Sequence, residues 1–115
     1  MKITDDLELS PRLLQGDGVS GVTKQVLIGP EQGSGNIALR RFIVAPGGYT
    51  PWHSHPFEHV VRVEAGAGEV RDESGQWHPL AAGKSVFVPA DEQHQFRNAG
   101  ARPFVFLCIV KGDYA

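Results

Sequence analysis

The stretch GGYTPWHSHPFEHVVRVEAG, Gly47 to Gly66, places three histidines between turn residues and a β-branched run. His53, His55 and His59 share parity. Residues two apart on a strand project to one face, so His53 and His55 are expected to point together. Pro56 cannot donate to a ladder and is expected to end that strand. The chain then turns through Phe57 and Glu58, and His59 opens a strand running to Glu64. Glu58, at the opposite parity, is expected to point away. With His94 further on, imidazoles from neighbouring segments would be aimed into one space, which is how a sheet builds a metal site.

Working outward, 14 Gly and 8 Pro leave no uninterrupted stretch longer than ten residues. Helical bundles and membrane-spanning helices, which need roughly 20 apolar residues, are excluded by this punctuation. Strands are expected at Val22 to Ile28, Ile37 to Val44 (stopped by Pro46, Gly47 and Gly48), and His59 to Glu64. Further ones are expected at Val70 to Asp72, Gln76 to Leu80, Ser85 to Val88, His94 to Asn98 and Phe104 to Val110. The fold class is all-β, a sandwich or small barrel in one domain of 115 residues. Phe104 to Val110 is apolar at both parities. Such a strand lies in the middle of a monomeric sandwich or in a barrel that packs on a second copy, and a homodimer is expected.

A net charge of −2 offers no basic surface for nucleic acid. No membrane partner is expected either. The lone Cys108 cannot form an internal disulfide, and the first residues lack a signal-peptide run, so a cytoplasmic location is expected.

Two spaced frames carry a resemblance. One reads Gly47, five residues, His53, one, His55, three, His59, six, Gly66. The other reads Gly83, five residues, Pro89, one, Asp91, two, His94, three, Asn98. These resemble the two signature motifs of the cupin superfamily. His59 stands where that pattern has Glu, and Asp91 where it has Gly. Asp tolerates left-handed angles better than most residues, so Asp91 can make the same turn.

From Gly21 to Val110 the chain is similar to small bacterial single-domain cupins that bind manganese through four histidines. Supporting residues are Lys24, Arg40, the Pro46–Gly47–Gly48 turn, His53–Ser54–His55–Pro56, Phe96–Arg97–Asn98 and Phe106–Leu107–Cys108. The resemblance implies a single antiparallel β-barrel of the jelly-roll (double-stranded β-helix) type over residues 21–115, after an N-terminal segment 1–20. It also implies a homodimer and a divalent ion held by His53, His55, His59 and His94. Manganese is the ion implied, with iron or zinc as alternatives, although raw affinity favours zinc over manganese. Since only neutral imidazole coordinates, binding is expected to weaken as pH falls through about 6.5.

Phe96 shares a face with His94, and Phe106 with Cys108. The resemblance places Phe106 and Cys108 near the metal. Arg40 shares parity with Phe42 and Val44, so an apolar face must hold a guanidinium. Its partner is a substrate carboxylate or a structural Asp or Glu. Arg40 and Cys108 are the candidate catalytic side chains, Tyr49, Trp52, Phe96 and Phe106 the candidate pocket. Arg41 and His78 are expected at the surface. The expected function is an oxygenase or related redox enzyme acting on a small organic substrate. A non-catalytic ligand-binding or sensing cupin, or a metal-assisted isomerase or lyase, uses the same parts.

Overall fold

In the computed structural model, which describes residues 1–115, nine strands follow in chain order. They are β1 (Arg12–Leu13), β2 (Ser20–Ile28), β3 (Ile37–Tyr49), β4 (His59–Ala65), β5 (Ala67–Arg71), β6 (Trp77–Ala81), β7 (Ser85–Val88), β8 (Gln95–Arg97) and β9 (Phe104–Lys111). All pair antiparallel in one curled sheet, ordered β6-β5-β8-β3-β9-β4-β7, with β2 on β3 and β1 on β2. This is the all-β jelly-roll barrel expected from the sequence. No helix is long and apolar enough to cross a membrane.

The concave face carries the core, because apolar residues recur at every second position. Ala38, Arg40, Phe42 and Val44 of β3 meet Val110, Cys108, Phe106 and Phe104 of β9 across the ladder, with Val61 and Val63 of β4 beyond. Phe106 stacks on both Phe42 and Phe96, with ring centroids 5.2 and 4.7 Å apart. Packing of this kind gives the short strands a shared reason to curl.

One expectation is corrected. Pro46, Gly47 and Gly48 do not stop β3, which bends and runs on to Tyr49. Gly47 adopts φ 80°, and Gly48 has no Cβ to strike the Ser20 and Ala45 carbonyls, 2.8 and 2.9 Å from where it would lie. Gly47 N–H donates to the Asn98 carbonyl and Asn98 N–H to the Gly48 carbonyl, both at 2.9 Å, so β3 continues beside β8. The second parity of β9 is not buried throughout within one chain. Val105 is covered and Leu107 half-covered, whereas Ile109 is 44% exposed. Asp91 does adopt the left-handed conformation, φ 66°, as its place in the second motif requires.

The barrel closes tightly where β5 crosses β9. A Cβ on Gly68 would overlap the fully buried Phe104 ring. Gly68→Ala is therefore expected to cost about 1–3 kcal/mol through overpacking. Gly83→Ala, at φ 96° but with open space around it, is expected to cost about 1–2 kcal/mol from backbone conformation alone. Urea unfolding midpoints of the two variants check the order.

Candidate metal centre

The imidazoles converge by two different routes. His59 begins β4, where its pairing with Val88 turns the ring inward and buries it. His53 and His55, by contrast, do not lie on a regular strand. Pro51 and Pro56 leave only an isolated bridge in which His53 N–H donates to the His94 carbonyl at 3.2 Å and His94 N–H to the His53 carbonyl at 2.9 Å. Asp91 N–H donates to the His55 carbonyl at 2.6 Å, tying the loop to the second motif. The shared direction of His53 and His55 thus comes from pinning a loop to the residues before β8.

His53, His55 and His94 present donor nitrogens that all lie within 4.8 Å of one another. The His59 ring stands beside them, with centroids 4.8 Å from His55 and 5.3 Å from His94. Its Nε2 is buried and has no hydrogen-bond partner. A buried imidazole nitrogen without a partner is costly unless a ligand takes it. This donor set fits a divalent ion. His94 Nδ1–H donates to the Glu92 carbonyl at 2.9 Å, which fixes the tautomer and leaves Nε2 as a lone-pair donor.

Surrounding side chains hold the rings in place. Phe57 stacks on His55 at 4.8 Å, and Tyr114 stacks on Phe57 at 3.8 Å. Cys108 Sγ lies 3.3 Å from His59 Nδ1 and accepts from Arg40 Nη2 at 3.1 Å. Burial pushes the Cys108 thiol pKa up, with Arg40 opposing in part. A thiol in its neutral form is a poor nucleophile, and in this arrangement Cys108 lies in contact with His59 and Arg40.

The cluster opens into a cavity of about 250 Å³ lined by all four histidines, Arg40, Cys108, Phe96 and Phe106, as the sequence led one to expect. Leu14, Gln15 and Val19 from the first twenty residues also line it. No sequence signal singled them out, because β1 reaches the barrel only through its pairing with β2. Tyr49 and Trp52 are not in this lining. Tyr49 borders an outer groove with Trp77 and Arg97. The Trp52 ring lies 4.3 Å from the Arg71 guanidinium, whose cation–π attraction holds it. Glu58 is exposed, Arg41 pairs with Asp6 and Glu64 at 3.6 and 3.5 Å, and His78 is an exposed partner of Asp72 at 2.7 Å.

Burial, then the neighbouring cations, pushes the His59 pKa down to about 3 and that of His55 to about 4. Burial and His94 also lower that of His53. Protons therefore begin to compete with a metal at these rings well below the ordinary value of 6.5, which revises the expectation from sequence. The sign for stability follows. Below pH 6.5 the unfolded chain takes up protons that the folded rings refuse, so stability falls as pH drops from 6.5 toward the folded values. For metal-free protein, His59 alone is expected to contribute a loss of about 2–3 kcal/mol between about pH 7 and about pH 4.5. Urea unfolding in chelator checks this, with His59→Gln flattening the slope.

Comparison with known proteins bears on the family and the fold. The cupin domain family matches residues 40–110. Polyketide synthase CurC of Streptomyces cyaneus is 32% identical over 100 residues, 86% of this chain and 62% of that protein. Dimethylsulfoniopropionate lyase DddQ of Ruegeria pomeroyi is 34% identical over 80 residues, 70% of this chain and 39% of that one. The chain thus spans less than two thirds of either relative. Polyketide cyclase RemF of Streptomyces resistomycificus superposes with a TM-score of 0.91 at 26% identity, covering 96% of this chain and 79% of that one. A curled antiparallel barrel with both motifs in place and a family match across most of it leave one assignment: the chain belongs to the cupin family.

Proposed function

We propose that this cupin is a metal-dependent enzyme for a small organic substrate. The observation that carries the reading is the group of donor nitrogens on His53, His55 and His94, within 4.8 Å of one another at the wall of a cavity. His59 is the proposed fourth donor, through its partnerless Nε2. Manganese is the proposed ion, with iron or zinc as alternatives. Once bound, it would act as a Lewis acid or redox centre toward an oxygen-bearing substrate. The protein's own contribution is to fix four neutral imidazoles, to wall the cavity with Phe42, Phe96 and Phe106, and to exclude bulk water by burial.

An oxygenase or related redox reaction is the first reading of the chemistry. A metal-assisted lyase, isomerase or cyclase is the second, and what favours it is that relatives bear the names of a polyketide cyclase and a lyase. We also propose a homodimer. Phe87, Val60 and Ile109 stand in register across β7, β4 and β9, at 57%, 48% and 44% exposure. A contiguous apolar row on an outer sheet face suits a second copy of this chain.

Titration of chelator-stripped protein with Mn²⁺, Fe²⁺ and Zn²⁺ is expected to show one ion per chain, with His53→Ala or His94→Ala weakening uptake at least tenfold. Retention of full affinity in both would defeat the metal reading. Turnover of a panel of small carboxylates, phenols and 1,3-diketones, compared with and without oxygen, separates the two chemistries. A single Val60→Lys substitution is expected to convert a dimer to monomer by light scattering, leaving metal uptake intact.

A further inference from the structure

The cavity lining contains two charged cations, Lys24 and Arg40, and no Asp or Glu. Arg40 is only 9% exposed. It lies on β3 with its guanidinium 4.9 Å from the Phe42 ring centroid. Of its five N–H donors, Nη2 reaches the Cys108 sulfur at 3.1 Å and Nη1 the Tyr114 carbonyl at 3.5 Å. Nε is buried with no partner. The sequence left two candidates for its counter-charge, a carboxylate of the chain or one of the substrate. No Asp or Glu side chain pairs with it. A buried charge without a counter-ion is destabilising in general.

Lys24 stands beside it on β2, opposite Phe42 in the ladder, and half-buried. Its Nζ donates to a main-chain oxygen of Ala115, the last residue of the sequence, at 3.4 Å. Burial and the charge of Arg40 both push its pKa below 10.5. The two cations thus repel each other, and no Asp or Glu side chain shares the cavity wall with them. The histidine cluster deepens the same imbalance, since it supplies no anionic donor.

We propose that Arg40 and Lys24 form a carboxylate-binding subsite next to the histidine cluster, so that the substrate is a small carboxylate with a planar apolar body. This rests on the cavity being the substrate site. The planar guanidinium fork matches a carboxylate in two-point fashion, whereas Lys24 adds a point charge. Phe42, Phe96 and Phe106 form the apolar wall for the body of the ligand. A volume of about 250 Å³ is below the roughly 300 Å³ at which drug-sized pockets begin, which restricts the ligand to a single ring or a short conjugated chain.

The test uses benzoate, its neutral isostere benzamide, and inorganic phosphate, titrated by calorimetry into the metal-free and the zinc-loaded protein. Metal-free wild type is expected to bind benzoate at least tenfold more tightly than benzamide. Arg40→Gln is expected to abolish that preference, and Lys24→Met, at a half-exposed position where folding is not at risk, to reduce it severalfold. Thermal unfolding confirms that each variant is folded. Equal binding of benzoate and benzamide, or a preference unchanged in both variants, overturns the proposal. So does Arg40-dependent binding of phosphate without binding of benzoate. Failure of the metal reading looks different: no zinc is taken up, yet benzoate is still preferred through Arg40. Zinc uptake with no benzoate preference defeats the subsite alone.

Discussion

Two backbone hydrogen bonds exchanged between His53 and His94 are what the site depends on. The segment from Thr50 to Glu58 has too many prolines and too few ladder partners to form a strand. By docking through Thr50, His53 and His55 onto β8 and the stretch before it, it borrows the rigidity of the barrel. Each ring then inherits a fixed neighbour: His94 its Glu92 carbonyl, His55 the stacked Phe57, His59 the Cys108 sulfur. Preorganised donors of this kind bind a metal without first paying to order four side chains.

The electrostatics of the cavity run in one direction. His53, His55 and His59, whose surroundings disfavour protonation, face a guanidinium and an ammonium, and no Asp or Glu side chain lines the cavity with them. In a fold without a disulfide such a concentration of unbalanced cations draws on the stability of the core. The stacked Phe42, Phe96, Phe104 and Phe106 rings occupy the same concave face and supply apolar burial next to it. Function and packing here are neighbours on the same strands: Arg40 and Cys108 alternate with core residues on β3 and β9 and share their inward direction.

The relatives spread across polyketide and lyase chemistry. A barrel that fixes a metal with imidazoles and leaves the rest of the cavity to variable residues can serve several reactions, because the ion's polarising power is common to them. The remaining lining in this chain sets Lys24 and Arg40 beside the aromatic rings of Phe42, Phe96 and Phe106.

Sequence by itself determined the strand series, the all-β class and the identity of the histidines, because alternation, glycine and proline positions and motif spacing are local properties. It also allowed Asp91 a left-handed turn and set Arg40 on the face of Phe42 and Val44. Tertiary structure alone decided how the rings meet. Parity predicted a shared direction for His53 and His55 but assigned it to a strand, whereas a bridge to a residue some forty positions later produces it. The same holds for Trp52, drawn outward onto Arg71, and for Leu14 and Val19, brought to the cavity from the first twenty residues. Contacts between distant segments depend on how a sheet curls and which edges pair, and that information is spread over the whole chain and is not written in any one motif.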